Sequence, residues 1–133
     1  GSKSGTTRTP VAITNAYDNA ATTKIFETSG YSKLNLDVLY TTGAAETNNS
    51  VDIRLEGSPD GVNFYRLPND STTAGTSTLT AREFTYVGAS AATAYSISIG
   101  IDIFYKYMRV SLKETGVAAN AGTVYAEYTL AGL

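Results

Sequence analysis

Cysteine, histidine and tryptophan are all absent from this 133-residue chain, and proline occurs only three times. Without cysteine there are no disulfides, no thiolate metal ligands and no thiol nucleophile, and the redox compartment leaves no trace in the sequence. Without histidine the chain lacks the commonest general base, the usual triad partner and the commonest transition-metal ligand. Catalysis would have to rest on Asp, Glu, Lys, Tyr or Ser alone, so the residue chemistry argues against an enzyme. Gly-rich phosphate loops and nucleophile elbows are missing too. Charge is sparse: 17% of residues are charged, the formal net charge is -2, and Lys and Arg are scattered. That distribution supplies no electrostatic footprint for nucleic acid. No window approaches the apolar length needed to span a bilayer. Neither nucleic acid, membrane nor cofactor is therefore expected as a partner.

What is present suits pleated strands. The hydrophobic fraction is 42%, with many Ala and Tyr in it, and Thr, Ser and Gly fill most of the remainder, while Leu, Glu, Lys and Arg are scarce. The length fits one domain with a proper core. Residues 51–67 (VDIRLEGSPDGVNFYRL) are the most informative segment. Val51, Ile53 and Leu55 alternate with Asp52, Arg54 and Glu56, which predicts a strand with one dry and one wet face. Gly57-Ser58-Pro59-Asp60-Gly61 supplies turn chemistry, with Ser58, Asp60 and Gly61 as its structural residues, and Val62 and Phe64 open a returning strand.

The same alternation recurs along the chain. Strands are expected over 11–14, 24–27, 31–40, 79–87, 95–101, 107–113 and 123–130, with polar or small-residue loops over 42–50, 71–77, 88–93 and 116–122. In 31–40, Leu34, Leu36, Val38 and Tyr40 share the dry face; in 107–113, Met108, Val110 and Leu112 do. Residues 1–10 are polar and rich in Gly and Thr, and read as a flexible arm ahead of a domain spanning 11–133. Gly1-Ser2 reads either as a scar of tag cleavage or as a native start that lost its initiator Met. The expected fold is all-β: a single sandwich of eight or nine antiparallel strands, jelly-roll-like, with a fibronectin-like or immunoglobulin-like sandwich as the alternative.

Several candidate sites follow. Asp37, Asp52, Arg54, Glu56, Arg109, Lys113 and Glu127 fall on wet strand faces. They form either a solvated charged face or a docking surface, for which Asp52, Arg54, Glu56, Arg109, Lys113 and Glu127 are the candidate protein-contact residues. Asp60, Asp70 and Asp102 could offer oxygens to calcium, but nothing has the spacing of a calcium loop, and no metal is expected. Asp52 and Glu56 are a formal carboxylate pair, kept ionised by Arg54, Arg109 and Lys113 rather than split for acid–base work. Tyr31, Tyr65, Tyr105, Tyr107 and Tyr125 could form a sugar-stacking platform or the rim of a protein contact.

The run from Glu56 to Tyr65 (EGSPDGVNFY) resembles the S-x-D-G-x-x-F/W strand–turn–strand element of discoidin-like β-sandwiches and of small virion proteins of tailed bacteriophages. Residues 106–113 (KYMRVSLK), followed by 123–130, resemble the closing strands of the same phage sandwiches. The resemblance implies a virion structural component, most concretely a head-decoration subunit contacting the major capsid protein or other virion subunits. A closed homo-oligomer, with a trimer as one form, would fit such a contact. The place implied is the phage particle, otherwise an extracellular one. The alternative function is a carbohydrate- or cell-surface-binding module of a phage adhesin or bacterial surface protein. No set of loop residues matches the discoidin-type ligand site, so sugar binding is not carried over from the resemblance.

Overall fold

A computed structural model describes residues 1–18, 25–66, 68–73, 76–81 and 83–132. Lys24 and Leu67, expected to open one strand and close another, lie outside the described residues. The strands are β1 (Ser2–Ala12), β2 (Phe26–Glu27), β3 (Lys33–Thr41), β4 (Asn49–Ser58), β5 (Tyr65–Arg66), β6 (Pro68–Thr73), β7 (Thr76–Ala81), β8 (Glu83–Gly88), β9 (Ala94–Asp102), β10 (Tyr107–Thr115) and β11 (Thr123–Ala131). Nine of these form two antiparallel sheets. The first has the order β1-β11-β3-β9; the second runs β2-β10-β4, with β5 and β8 sharing the far edge of β4.

The pairing is nested. β1 pairs with β11, β2 with β10, β3 with β9 and β4 with β8, all antiparallel. A long hairpin rolled upon itself produces this nesting, and the rolling then brings β11 beside β3 and β10 beside β4. That is the jelly roll expected from the strand count. β6 and β7 pair with each other in a separate two-stranded ribbon inserted between β5 and β8.

Period-two patterning explains the core. β3 buries Leu34, Leu36, Val38 and Tyr40, and β11 buries Val124, Ala126 and Leu130. Facing them, β4 buries Val51, Ile53 and Leu55, and β10 buries Met108, Val110 and Leu112. Phe26 of the second sheet stacks on Tyr128 of the first, with ring centroids 4.2 Å apart and planes 9° off parallel. Tyr128 in turn lies over Gly5, where a Cβ would meet its hydroxyl at 2.6 Å, so β1 needs glycine at that crossing.

Three expectations need correction. Residues 1–10 are not a free arm: Ser2–Ala12 forms the edge strand β1, laddered to β11 and broken by irregularities around Arg8. Thr-rich backbone favours extension, and β11 supplies the partners for its N–H and C=O groups. The expected loop 71–77 falls mostly in the β6–β7 ribbon, and the expected strand 79–87 is divided between β7 and β8. Val62 and Phe64 belong to the turn rather than to a strand, because the return of the hairpin shrinks to the two residues of β5.

Leu36, fully buried at the centre of β3, offers the direct test of this packing. Leu36→Ala is expected to lower unfolding free energy by about 2–5 kcal/mol in urea denaturation, and a loss under about 1 kcal/mol would contradict a close-packed layer there.

Candidate functional site

The predicted charged face is built on β4 and β10, and register makes its pairs. Arg109 stands opposite Glu56, Ser111 opposite Arg54 and Lys113 opposite Asp52. Arg109 reaches Glu56 Oε2 at 3.3 Å, Ser111 Oγ donates to Glu56 Oε1 at 2.8 Å, and Lys113 Nζ lies 3.9 Å from Asp52. Thr85 Oγ1 donates to Asp52 Oδ1 at 2.6 Å from β8. Two aromatic rings roof this ladder. Tyr17, from the β1–β2 connection, stacks on Arg54 at 3.7 Å and Lys113 at 4.6 Å, while Phe64 of the 59–64 turn stacks on Arg109 at 4.1 Å. Such cation–π contacts hold the rings down as lids.

The face is thus neither freely solvated nor one continuous docking surface. Glu56 is only 7% exposed. Glu127 does not belong to it: that residue sits on the outer face of the first sheet, opposite Asp37. Asp52 and Glu56 are both tied to cations and hydroxyls, consistent with structural rather than acid–base duty.

The turn residues Ser58, Asp60 and Gly61 come together as expected. Ser58 Oγ accepts from the Gly61 N–H at 2.9 Å, and Asp60 Oδ1 accepts from the N–H groups of Val62 and Asn63, each at 2.8 Å. Those backbone donors, Asn63 first, hold the Asp60 carboxyl far below the usual carboxylate range. Gly61 has φ +77°, the left-handed conformation this turn requires. Both Asp60 oxygens are engaged, since Oδ2 accepts from Asn63 Nδ2 at 2.9 Å. Asp102 is paired with Lys33, and Asp70 lies on the separate β6–β7 ribbon. Among the described residues no group of three His, Cys, Asp or Glu side chains could hold a metal.

The tyrosines do not share a platform. Tyr125 lies on the outer face of the first sheet and bonds Thr6, whereas Tyr107 lies on the second sheet against Gly61. Tyr105 packs over Gly57 and against the core, Tyr31 is partly buried against it, and Tyr65 is exposed.

Sequence reasoning missed the most heavily engaged ionisable groups. Arg8, with no side-chain exposure, forms a two-pronged pair with Asp18 at 2.7 and 2.6 Å, and also donates to the Val110 carbonyl at 3.0 Å. Because Arg8 sits on β1 and Val110 on β10, this pair clamps the two sheets along one side. Glu46 accepts from three successive backbone N–H groups, at 3.0 Å from Ala118 and 2.7 Å from both Ala119 and Asn120. These bonds, Ala119 first, then Asn120 and Ala118, hold its carboxyl below the ordinary range. They staple the 42–48 loop, where Ala45 and Asn48 adopt positive φ, to the 116–122 loop. Glu114, fully buried, accepts from the Gly122 N–H at 2.7 Å and from the Tyr40 hydroxyl. Burial, then Glu114 itself, pushes the Tyr40 hydroxyl well above its ordinary pKa. Glu114 was legible in principle: it continues the inward row of Met108, Val110 and Leu112.

The end opposite this stapled one presents apolar side chains. Connections 28–32, 59–64 and 103–106 gather there, linked by the Thr28 N–H to the Lys106 carbonyl and the Ile103 N–H to the Ser32 carbonyl. Phe104 is 82% exposed and Val62 77% exposed at the tips, and Tyr65, at the start of β5, is exposed as well. No protein-family model matches this chain, and no curated protein matches it significantly.

Removing the Asp18 carboxylate leaves the buried Arg8 guanidinium short of its anion. Asp18→Ala is expected to cost about 3 kcal/mol by chemical denaturation, and Arg8→Met distinctly less, because the methionine leaves no buried charge behind. Glu46 makes the second prediction. Its pKa is lowered on folding, so the stability it contributes is complete above its unfolded value of about 4.3 and is lost as pH falls through the lower folded value. Glu46→Gln should therefore be less stable than wild type at neutral pH, and the gap between their urea midpoints should close on acidification; a pH-independent gap would refute the stapling role.

Proposed function

We propose that this chain is a non-enzymatic structural subunit of a virion, most concretely a head-decoration protein of a tailed phage that stabilises the capsid through protein–protein contacts. The carrying observation is the apolar end. Phe104 and Val62 are exposed on two connections at one end of the jelly roll, with Tyr65 exposed at the adjoining start of β5, and exposed apolar side chains gathered at one end mark interaction sites. The opposite end is closed upon itself by Glu46 and Glu114. Such a polarity suits a module that seats one end on a lattice and turns the other outward. The charged residues support the same reading, because the ladder of Glu56, Arg109, Asp52 and Lys113 is spent on mutual pairing under Tyr17 and Phe64. On this reading the partners are the major capsid protein or neighbouring virion subunits, and the chain self-associates with closed symmetry. Jelly rolls occur in viral capsid and lectin domains alike, so the fold carries no weight of its own.

A second reading, a glycan-binding module, has one observation in its favour. The outer face of the first sheet holds two shallow depressions of about 550 and 380 Å³. Beside apolar residues such as Leu39 and Ile97, their lining includes Asn35, Asp37, Ser98 and Glu127, polar groups able to meet hydroxyls, and the Tyr125 ring.

Phage heads prepared without this protein separate the two. The wild-type chain is expected to bind such heads to a saturating copy number and raise their thermal disruption temperature. A Val62→Asp, Phe104→Asp double variant, with unchanged circular dichroism, should lose binding by at least about a hundredfold, as for a central interface anchor. A chain that ignores heads yet binds a glycan array through Tyr125 would establish the second reading instead.

A further inference from the structure

The two edges of the first sheet are built differently. β1 breaks its ladder with β11 between Thr6 and Arg8 and again between Arg8 and Val11, and it carries Lys3, Arg8 and Pro10. Irregular pairing, charge and proline are the means by which proteins stop an edge strand from templating another. β9, at the other edge, is regular and without proline, and its one charged residue, Asp102, stands at its C-terminal end paired with Lys33. It pairs with β3 over nine residues without a register shift, and from Ala94 to Ile101 it contains no charged residue and no proline. Among the described residues no strand lies beyond it, so its outward-facing N–H and C=O groups have no strand partner.

The side chains of β9 point the same way. Its outer row is small and exposed: Ala94, Ser96, Ser98 and Gly100. Its inner row is Tyr95, Ile97, Ile99 and Ile101, and only Ile99 is buried. Across the gap, the inward-facing Tyr86 of β8 meets Tyr95 with ring centroids 5.5 Å apart. A single aromatic pair thus spans the β8–β9 side and leaves Ile97 and Ile101 half-exposed, while the β1–β10 side is clamped by Arg8 and Asp18.

We propose that β9 is an assembly edge and that its occupant is β9 of a second copy of this chain, added antiparallel about a twofold axis at Ser98. Two four-stranded sheets then become one continuous sheet of eight. The strand is self-complementary. Ser98 is the midpoint of Ala94–Asp102, so full overlap sets Ser98 against Ser98, Ile97 against Ile99, Ser96 against Gly100, Tyr95 against Ile101 and Ala94 against Asp102. No charge meets its like, because Asp102 faces alanine and is already paired with Lys33. Inner row meets inner row, so half-exposed Ile97 and Ile101 gain β-branched or aromatic neighbours and lose contact with water. An identical strand meets all these conditions at once. The contact is isologous, so the assembly is a dimer or a dihedral assembly containing it, not a bare threefold ring. This inference does not rest on the virion reading.

A chain without cysteine makes the test clean. Facing residues of an antiparallel pair have Cα atoms about 4.5–5.5 Å apart, inside the disulfide range of about 4.4–6.8 Å. Ser98→Cys should thus convert to a covalent dimer under mild oxidation, while Thr129→Cys, exposed on the same face but on β11, should remain monomeric on a denaturing gel. By light scattering the wild type should show twice the chain mass, or a larger even multiple for a dihedral assembly. Ser98→Lys, which sets two ammonium groups on the axis, should weaken association at least about a hundredfold with unchanged far-ultraviolet circular dichroism. Should Ser98→Lys fail to fold, the cross-linking contrast decides. A wild type that is monomeric at every concentration or trimeric overturns the proposal, as does an oligomer in which Ser98→Cys cross-links no faster than Thr129→Cys.

Discussion

Everything in this fold depends on one apolar layer held between two sheets by a strict two-residue period. Leu34, Leu36, Val38 and Tyr40 on β3 face Val51, Ile53 and Leu55 on β4, with Met108, Val110 and Leu112 of β10 and Val124, Ala126 and Leu130 of β11 completing the layer. A slip of one residue in any of these strands would turn its whole apolar row to water and its charged row inward. Register is therefore fixed by burial, and register in turn fixes the charged pairs on the outside. Glu56 meets Arg109 and Asp52 meets Lys113 because Leu55 must meet Val110 and Ile53 must meet Leu112.

The margins of the layer are closed by polar chemistry. At the β1–β10 side the gap is bridged by Arg8, whose guanidinium donates to Asp18 and the Val110 carbonyl. A buried ion pair of this kind adds little net stability over an apolar pair but is costly to break, so it favours one arrangement of the two sheets. At one end, Glu46 and Glu114 gather backbone N–H groups that would otherwise be orphaned in the 116–122 connection. Loops at that end can hold Ala45 and Asn48 at positive φ because these carboxylates overdetermine their path. A chain poor in charge has placed several of its ionisable groups where backbone or sheet edges demand a partner.

Two margins have no such closure, and they point in different directions. The apolar end with Phe104 and Val62 faces along the strands, while the regular β9, charged only at its terminal Asp102, faces sideways. The proposed head contact and the proposed strand pairing therefore do not compete for the same surface. An end-on seat combined with lateral self-association is a geometry in which each subunit contact can strengthen the other through effective concentration.

The sequence by itself determined the class of fold and most of its buried rows, because alternation is a local property that survives in any sheet. The strand faces of β3, β4, β10 and β11 and the Ser58–Asp60–Gly61 turn were all legible from spacing and turn chemistry. The 1–10 segment was not, since a two-sided polar strand has no alternation to read and becomes β1 only when β11 offers its backbone. Nor was the function of Tyr17, Phe64 or Glu46, whose partners lie far along the chain. Only the tertiary structure decided which charged residues share a face, separating Glu127 from Arg109, and which edge was left open. Those outcomes depend on how the rolled hairpin sets distant strands side by side, and no local pattern in the chain encodes that.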